Sequence, residues 1–181
     1  KVADKLGDLF NADREAYQGK WESIGMFVKY GMITDDKFYD RARKICLLKN
    51  LDNELFTIDE YLEKVEGNQT DKEGNRIFIY SNDPAKQHTY IQAAKKKGFD
   101  VLKFDEIIDQ HFVDNLERKL DKVNMRRVDS EVTEKLVDTG EKLESALSKD
   151  EEEKIKEIFK KAAGDDKLEP QVIAMSPDDM P

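Results

Sequence analysis

Asp83, Asp105, Glu106 and Asp109 are the residues whose type and placement come nearest to chemistry. Each falls just after one of two short apolar runs, Ile77-Phe78-Ile79-Tyr80 and Val101-Leu102-Lys103-Phe104. Carboxylates gathered at the carboxyl end of a parallel sheet can hold Mg²⁺ and so support phosphotransfer. The competing use is local. An Asp ahead of a helix accepts hydrogen bonds from its first free N–H groups, and Asp83 and Asp109 are both so placed. A phosphate would also need glycines in Ser81-Asn82-Asp83-Pro84 so that backbone N–H groups could approach it. That turn has none, and Pro84 removes a donor. Capping is therefore the expected role of Asp83 and Asp109, with Asp105 and Glu106 solvated. A metal-dependent phosphotransfer domain of receiver-like α/β architecture stands as the alternative.

The remaining reactive side chains are sparse. His88 and His111 are the only histidines, and neither has a Cys or a second His at metal-ligand spacing. Cys46, the single cysteine, excludes an internal disulfide and fits a small core residue in a reducing compartment such as the cytoplasm. The chain has no Gly-x-Ser-x-Gly motif. No catalytic, cofactor-binding or metal site is expected. One other cluster stands out: Trp21, Met26, Phe27, Tyr30 and Met32 form an apolar group wider than one core face requires. A Met- and aromatic-rich surface adapts to varied protein partners, so these five are the candidate binding residues, with core packing the competing use. A plain protein-interaction module is a second alternative.

The elements that must position these residues follow from patterning. Arg76 to Phe104 reads as strand, helix, strand. An unbroken β-branched and aromatic run suits a strand buried on both faces. Asp83 and Pro84 open the helix, Lys95 to Lys97 complement its negative end, and Gly98 closes it. A crossover of that length predicts two parallel strands. Upstream, Val2, Leu6, Leu9 and Phe10 mark one helix. Tyr17, Trp21, Ile24 and Val28 mark a second, which starts at Asn11 or Asp13 and ends at Gly31. A third is capped by Thr34 or Asp35 and carries Phe38, Ala42, Ile45 and Leu48. Lys49 to Asn53 is a turn, and Thr57-Ile58-Asp59-Glu60 is a capping box. Beyond the second strand, Ile108, Phe112, Val113, Leu116 and Leu120 make another helix. A third strand spans 123–128, with Arg126 and Arg127 marking an exposed edge.

These pieces give an α/β fold class. A three-helix coil (residues 1–56) precedes a small three-layer α/β/α subdomain with a short, mainly parallel sheet (57–128). An acidic connector (129–147) and a helical C-terminal extension (148–181) follow. In the last, Ser148 caps a helix bearing Ile155, Ile158, Phe159 and Ala162, and Val172 to Met175 suggests a strand without its sheet. That orphan strand, with a first residue other than Met, suggests a fragment of something longer. Charge is uneven. From Asp129 onward 16 acids face 8 lysines, a net of −8 out of −9 for the chain. A near-neutral body with an acidic tail is a poor partner for nucleic acid or an anionic membrane. No apolar run approaches the roughly 20 residues that cross a bilayer.

With these residues in place, the chain resembles the heat-shock protein 90 family of chaperones over nearly its whole length. The matching stretches are KWESIGMFVKYGMITDDKFYDRARKICLLKN, FTIDEYLEKVEGNQ, IFIYSNDPAKQHTYIQAAKKKGFDVLKF and EIIDQHFVDNLE, in the family's order and spacing. DREAYQGKWESIGMF and TDKEGNR are similar to its bacterial members. The resemblance implies that residues 1–128 are the second half of the middle domain and that 148–181 open the C-terminal dimerisation domain. It also implies that ATP and Mg²⁺ bind in an N-terminal domain outside this chain, so no ATPase residue carries over. The implied partners are unfolded or partly folded client proteins and, for the full-length protein, a second copy. Trp21, Met26, Phe27, Tyr30 and Met32 are the stretch matched to the client role.

Overall fold

The computed structural model describes residues 2–131, 133–140, 147–164 and 168–172. They form two compact units, 1–139 and 140–181.

The first unit opens with three helices, α1 (Val2–Ala12), α2 (Arg14–Thr34) and α3 (Asp36–Ala42). Asp13 caps α2, its carboxylate accepting the Ala16 N–H at 2.9 Å. Asp35 joins two helices at once. Its N–H closes α2 onto the Gly31 carbonyl, and its carboxylate accepts the Phe38 N–H that opens α3. Helix α2 therefore runs three residues past Gly31, the expected end. Gly31 serves packing instead, since a Cβ there would sit 2.8 Å from the Phe38 ring. Leu48 also departs from expectation. It lies in β1 (Leu47–Lys49), which pairs antiparallel with β2 (Leu55–Thr57) across the expected turn. Strands of three residues are too short for an alternating pattern to declare itself.

Thr57 then caps α4 (Ile58–Val65) with the full reciprocal box. Thr57 N–H donates to Glu60 at 2.8 Å, and Glu60 N–H donates to the Thr57 hydroxyl at 3.3 Å. The central strand β3 (Arg76–Ser81) has β4 (Val101–Lys103) on one side and β5 (Val123–Arg127) on the other, both parallel to it. Alternation along β3 divides the core in two. Phe78 and Tyr80 face Tyr17, Val28, Tyr61, Phe112 and Leu116. Ile77 and Ile79 face Ile91 and Ala94 of α5 (His88–Lys96), together with Leu136 and Val137. The middle strand is thus buried on both faces, as its composition requires.

Helix α5 starts at His88, four residues after Pro84. The intervening residues make a turn in which Asp83 still caps, accepting the Lys86 N–H at 3.1 Å. Helix α6 (Asp109–Lys119) follows β4. The short α7 (Thr133–Leu136) lies within the stretch expected to be connector, and it places Leu136 and Val137 in the core at 1% and 3% exposure. The expected connector thus begins with residues that belong to the first unit.

In the second unit, α8 (Lys149–Ala163) is capped by Ser148, as the sequence predicts, through a reciprocal box with Glu151, and a left-handed Gly164 ends it. Ile158 and Phe159 are exposed on it. The strand expected at 172–175 lies almost wholly outside the described residues.

Candidate functional site

The carboxyl edge of the three-stranded sheet gathers the four acids, and each is already engaged. After β3, the buried Gln87 side chain fills the turn. Its oxygen accepts from the Ser81 hydroxyl (2.7 Å) and from the Asn82 and Asp83 N–H groups (3.2 and 3.3 Å). Its amide donates back to Asn82 at 3.1 Å. A phosphate would need those two N–H groups, and a side chain of the protein itself holds them. Asp83 pairs with Lys86 (3.0 Å); the Lys86 N–H and ammonium keep its carboxyl below the ordinary range. Asp105 pairs with Lys103 at 3.2 Å.

Asp109 is the main correction to the sequence reading. It makes no N-terminal cap hydrogen bond of the usual side-chain kind; α6 is preceded by Ile108 without one. Asp109 is instead 1% exposed and forms an ion pair with Lys29 of α2 at 2.6 Å, Lys29 itself being 7% exposed. The second Asp109 oxygen accepts the Glu106 N–H at 3.0 Å, and the Glu106 carboxylate reaches Lys29 at 3.1 Å. The Phe104 and Phe112 rings lie 5.8 and 5.9 Å from the ammonium. Burial raises the Asp109 carboxyl, with Lys29 opposing. Burial would lower the Lys29 ammonium, but the two carboxylates outweigh it and hold it above its ordinary value. Nearby Cys46 is fully enclosed, and burial pushes its thiol up to about 12, which leaves it an inert core residue. A groove of about 190 Å³ opens beside the ion pair, walled by Tyr80, Phe104, Ile107 and Val113 and by Asp105 and Glu106. Acids at its rim repel anionic ligands, and the deepest acid is spent on Lys29. Chemically the edge is a structural tie that fastens α2 to α6.

The five apolar residues of α2 separate into two groups. Trp21 and Met32 belong to the core, 6% and 0% exposed, on the same side as Tyr17 and Val28. Met26, Phe27 and Tyr30 are 49%, 67% and 59% exposed. At 100° per residue they fall opposite the buried stripe, so they form one outward patch. The candidate binding surface is therefore these three, with Trp21 and Met32 corrected to core.

Gln87 and Lys29 are the residues that sequence reading missed. Gln87 sits in a polar turn where nothing marks it as buried. Lys29 offers one signal: it flanks the apolar stripe immediately after Val28, where a lysine needs a buried partner.

A parallel sheet of three strands with helices on both faces, preceded by a helical coil, defines an α/β segment whose acidic sheet edge is tied up by its own side chains. The Hsp90 protein family matches residues 1–177, and the chain belongs to that family. Among curated relatives it is 41% identical over 159 residues to chaperone protein HtpG of Porphyromonas gingivalis, covering 88% of this chain and 23% of that one. It is 39% identical over 160 residues to HtpG of Bacteroides thetaiotaomicron, covering 88% and 24%. The chain thus spans about a quarter of the length of these relatives. The middle domain of a Plasmodium falciparum heat shock protein shares the fold, with a TM-score of 0.56 at 16% identity, covering 70% of this chain and 52% of that one.

Proposed function

We propose that this chain is a non-catalytic segment of an HtpG-like chaperone, one that links an ATP-binding domain to a dimerisation domain and offers part of the surface that holds unfolded clients. The observation that carries the client role is the Met26, Phe27 and Tyr30 patch: three large apolar side chains exposed on a helix whose opposite face is fully committed to the core. Such a patch costs solubility and is kept where it binds something. The linking role rests on the Lys29–Asp109 tie, which makes the coil and the α/β layers move together. ATP and Mg²⁺ enter through the proposed upstream domain, homodimerisation through the proposed downstream one, and the cytoplasm is the proposed compartment.

Binding of a permanently unfolded, carboxymethylated test protein to the chain carrying Met26→Ser, Phe27→Ser and Tyr30→Ser measures the client role. Affinity falls about tenfold or more, because removing three large apolar side chains forfeits over 1.4 kcal/mol of contact, and the circular dichroism spectrum is unchanged. Unaltered affinity would exclude this patch. The chain alone turns over no ATP; hydrolysis abolished by Asp105→Asn or Asp109→Asn would overturn the non-catalytic assignment.

A further inference from the structure

Strand β5 is the outer strand on its side of the three-stranded sheet; among the described residues only β3 pairs with it. Even-numbered positions reach β3. Arg76 N–H donates to the Lys122 carbonyl at 2.8 Å, and Val128 N–H donates to the Tyr80 carbonyl at 2.9 Å. The backbone groups of Val123, Met125 and Arg127 therefore point to the open side. Two side chains of the protein already stand there. The Glu117 carboxylate reaches over from α6 and accepts the Met125 N–H at 2.9 Å. The Arg127 carbonyl accepts the Ser130 N–H and hydroxyl at 2.9 and 2.7 Å.

We propose that Glu117 is an edge guard: it occupies the central backbone donor through which β5 would otherwise add to the β5 of a second copy of this chain. An unpaired edge donor beside buried apolar residues, here Val123 and Met125, is a template for strand addition. The second copy is the occupant that the residue order fits. Antiparallel pairing centred on Met125 lets the two methionines exchange both N–H···O=C bonds. It sets Val123 opposite Arg127 and Asn124 opposite Arg126, so no arginine directly faces another. A parallel in-register pairing would instead set Arg126 against Arg126 and Arg127 against Arg127. Glu117 lies eight residues before Met125, so the guard and the edge it covers travel on one helix-to-strand turn.

The test uses the whole chain with Glu117→Ala, by sedimentation over a wide concentration range and by amide exchange at Met125. Relative to the unsubstituted chain, Met125 exchanges faster at low concentration, and self-association strengthens about tenfold, the usual scale for freeing a backbone hydrogen bond for a partner. Glu117→Gln, whose amide oxygen still accepts, matches the unsubstituted chain in both. The double variant Glu117→Ala/Met125→Pro has no donor to offer and loses the added association. Should the alanine variant fail to fold, Glu117→Lys keeps the helix and reads the same exchange. Unchanged Met125 exchange in the Ala or Lys variant overturns the proposal. So does added association that survives Met125→Pro.

Discussion

At the scale of single residues, Lys29 and Asp109 decide most. Both are withdrawn from water, and their 2.6 Å contact is paid for by desolvating two charges. Such a pair adds little net stability over an apolar substitute, yet breaking it on one side leaves an uncompensated buried charge. Lys29→Met should therefore cost roughly 3–5 kcal/mol, the usual penalty for orphaning a buried partner. Lys29→Met with Asp109→Leu should recover most of that loss. Urea unfolding of the two variants checks both values; a single variant as stable as the double would mean that the ammonium does not neutralise Asp109. Sequence patterning assigned Asp109 to a cap because an Asp just ahead of an apolar helical stripe has the same local signature either way. Only the partner 80 residues away distinguishes them, and spacing along one chain cannot report it.

At the scale of elements, local rules read best where the bonds themselves are local. The Thr57–Glu60 and Ser148–Glu151 boxes, the Asp13 and Asp35 caps and the left-handed Gly98 and Gly164 all stand where residue type places them. The hairpin β1–β2 and the late start of α5 were hidden because tertiary partners made them: Asn50 bridging to Leu102, and Gln87 folding back on its own turn. Glu60 shows how a cap becomes pH-sensitive. Its carboxylate serves the α4 box and also receives Arg14 from the start of α2, the second bond being 2.6 Å. The Arg14 guanidinium, against the opposing effect of partial burial, holds this carboxyl down to about 2 from an ordinary 4.5. The unfolded chain takes up the proton at the higher value, so the contribution is whole above about pH 4.5 and drains as pH falls toward 2. Both side chains are over a third exposed, which screens the pair to about 1 kcal/mol at most. Arg14→Met should flatten the fall in unfolding free energy between about pH 5 and about pH 2 by that amount. An equal slope in both proteins would remove Arg14 from the account.

At the scale of the whole molecule, the parallel three-stranded sheet was legible because β3 carries its own proof: an apolar run, a helix of crossover length and a second run. The outward patch on α2 was legible only as an excess of large apolar residues. Which of the five face water depends on where α3, α6 and the sheet stack against the helix, and helical spacing alone does not say which side they take. The acidic run after Asp129 was the least legible part, since its charge suggests solvent while Leu136 and Val137 lie in the second core cluster. The Lys72 N–H donates to the Asp138 carbonyl at 2.8 Å and their side chains pair at 2.8 Å, so this segment is also fastened at its far end. A chain ending after Thr139 should therefore unfold with the same midpoint as the first unit of the whole chain. A chain ending after Val128 should lose about 3 kcal/mol, since burying each of two such aliphatic side chains contributes roughly 1.5–3 kcal/mol and part of that is recovered by local collapse. It should also expose Ile77, Ile79 and Val128, raising the binding of an apolar dye. Denaturant unfolding of the two truncations side by side checks this. Equal stability would mean that residues 129–139 lie on the sheet without contributing to it, and that the structural body ends with β5.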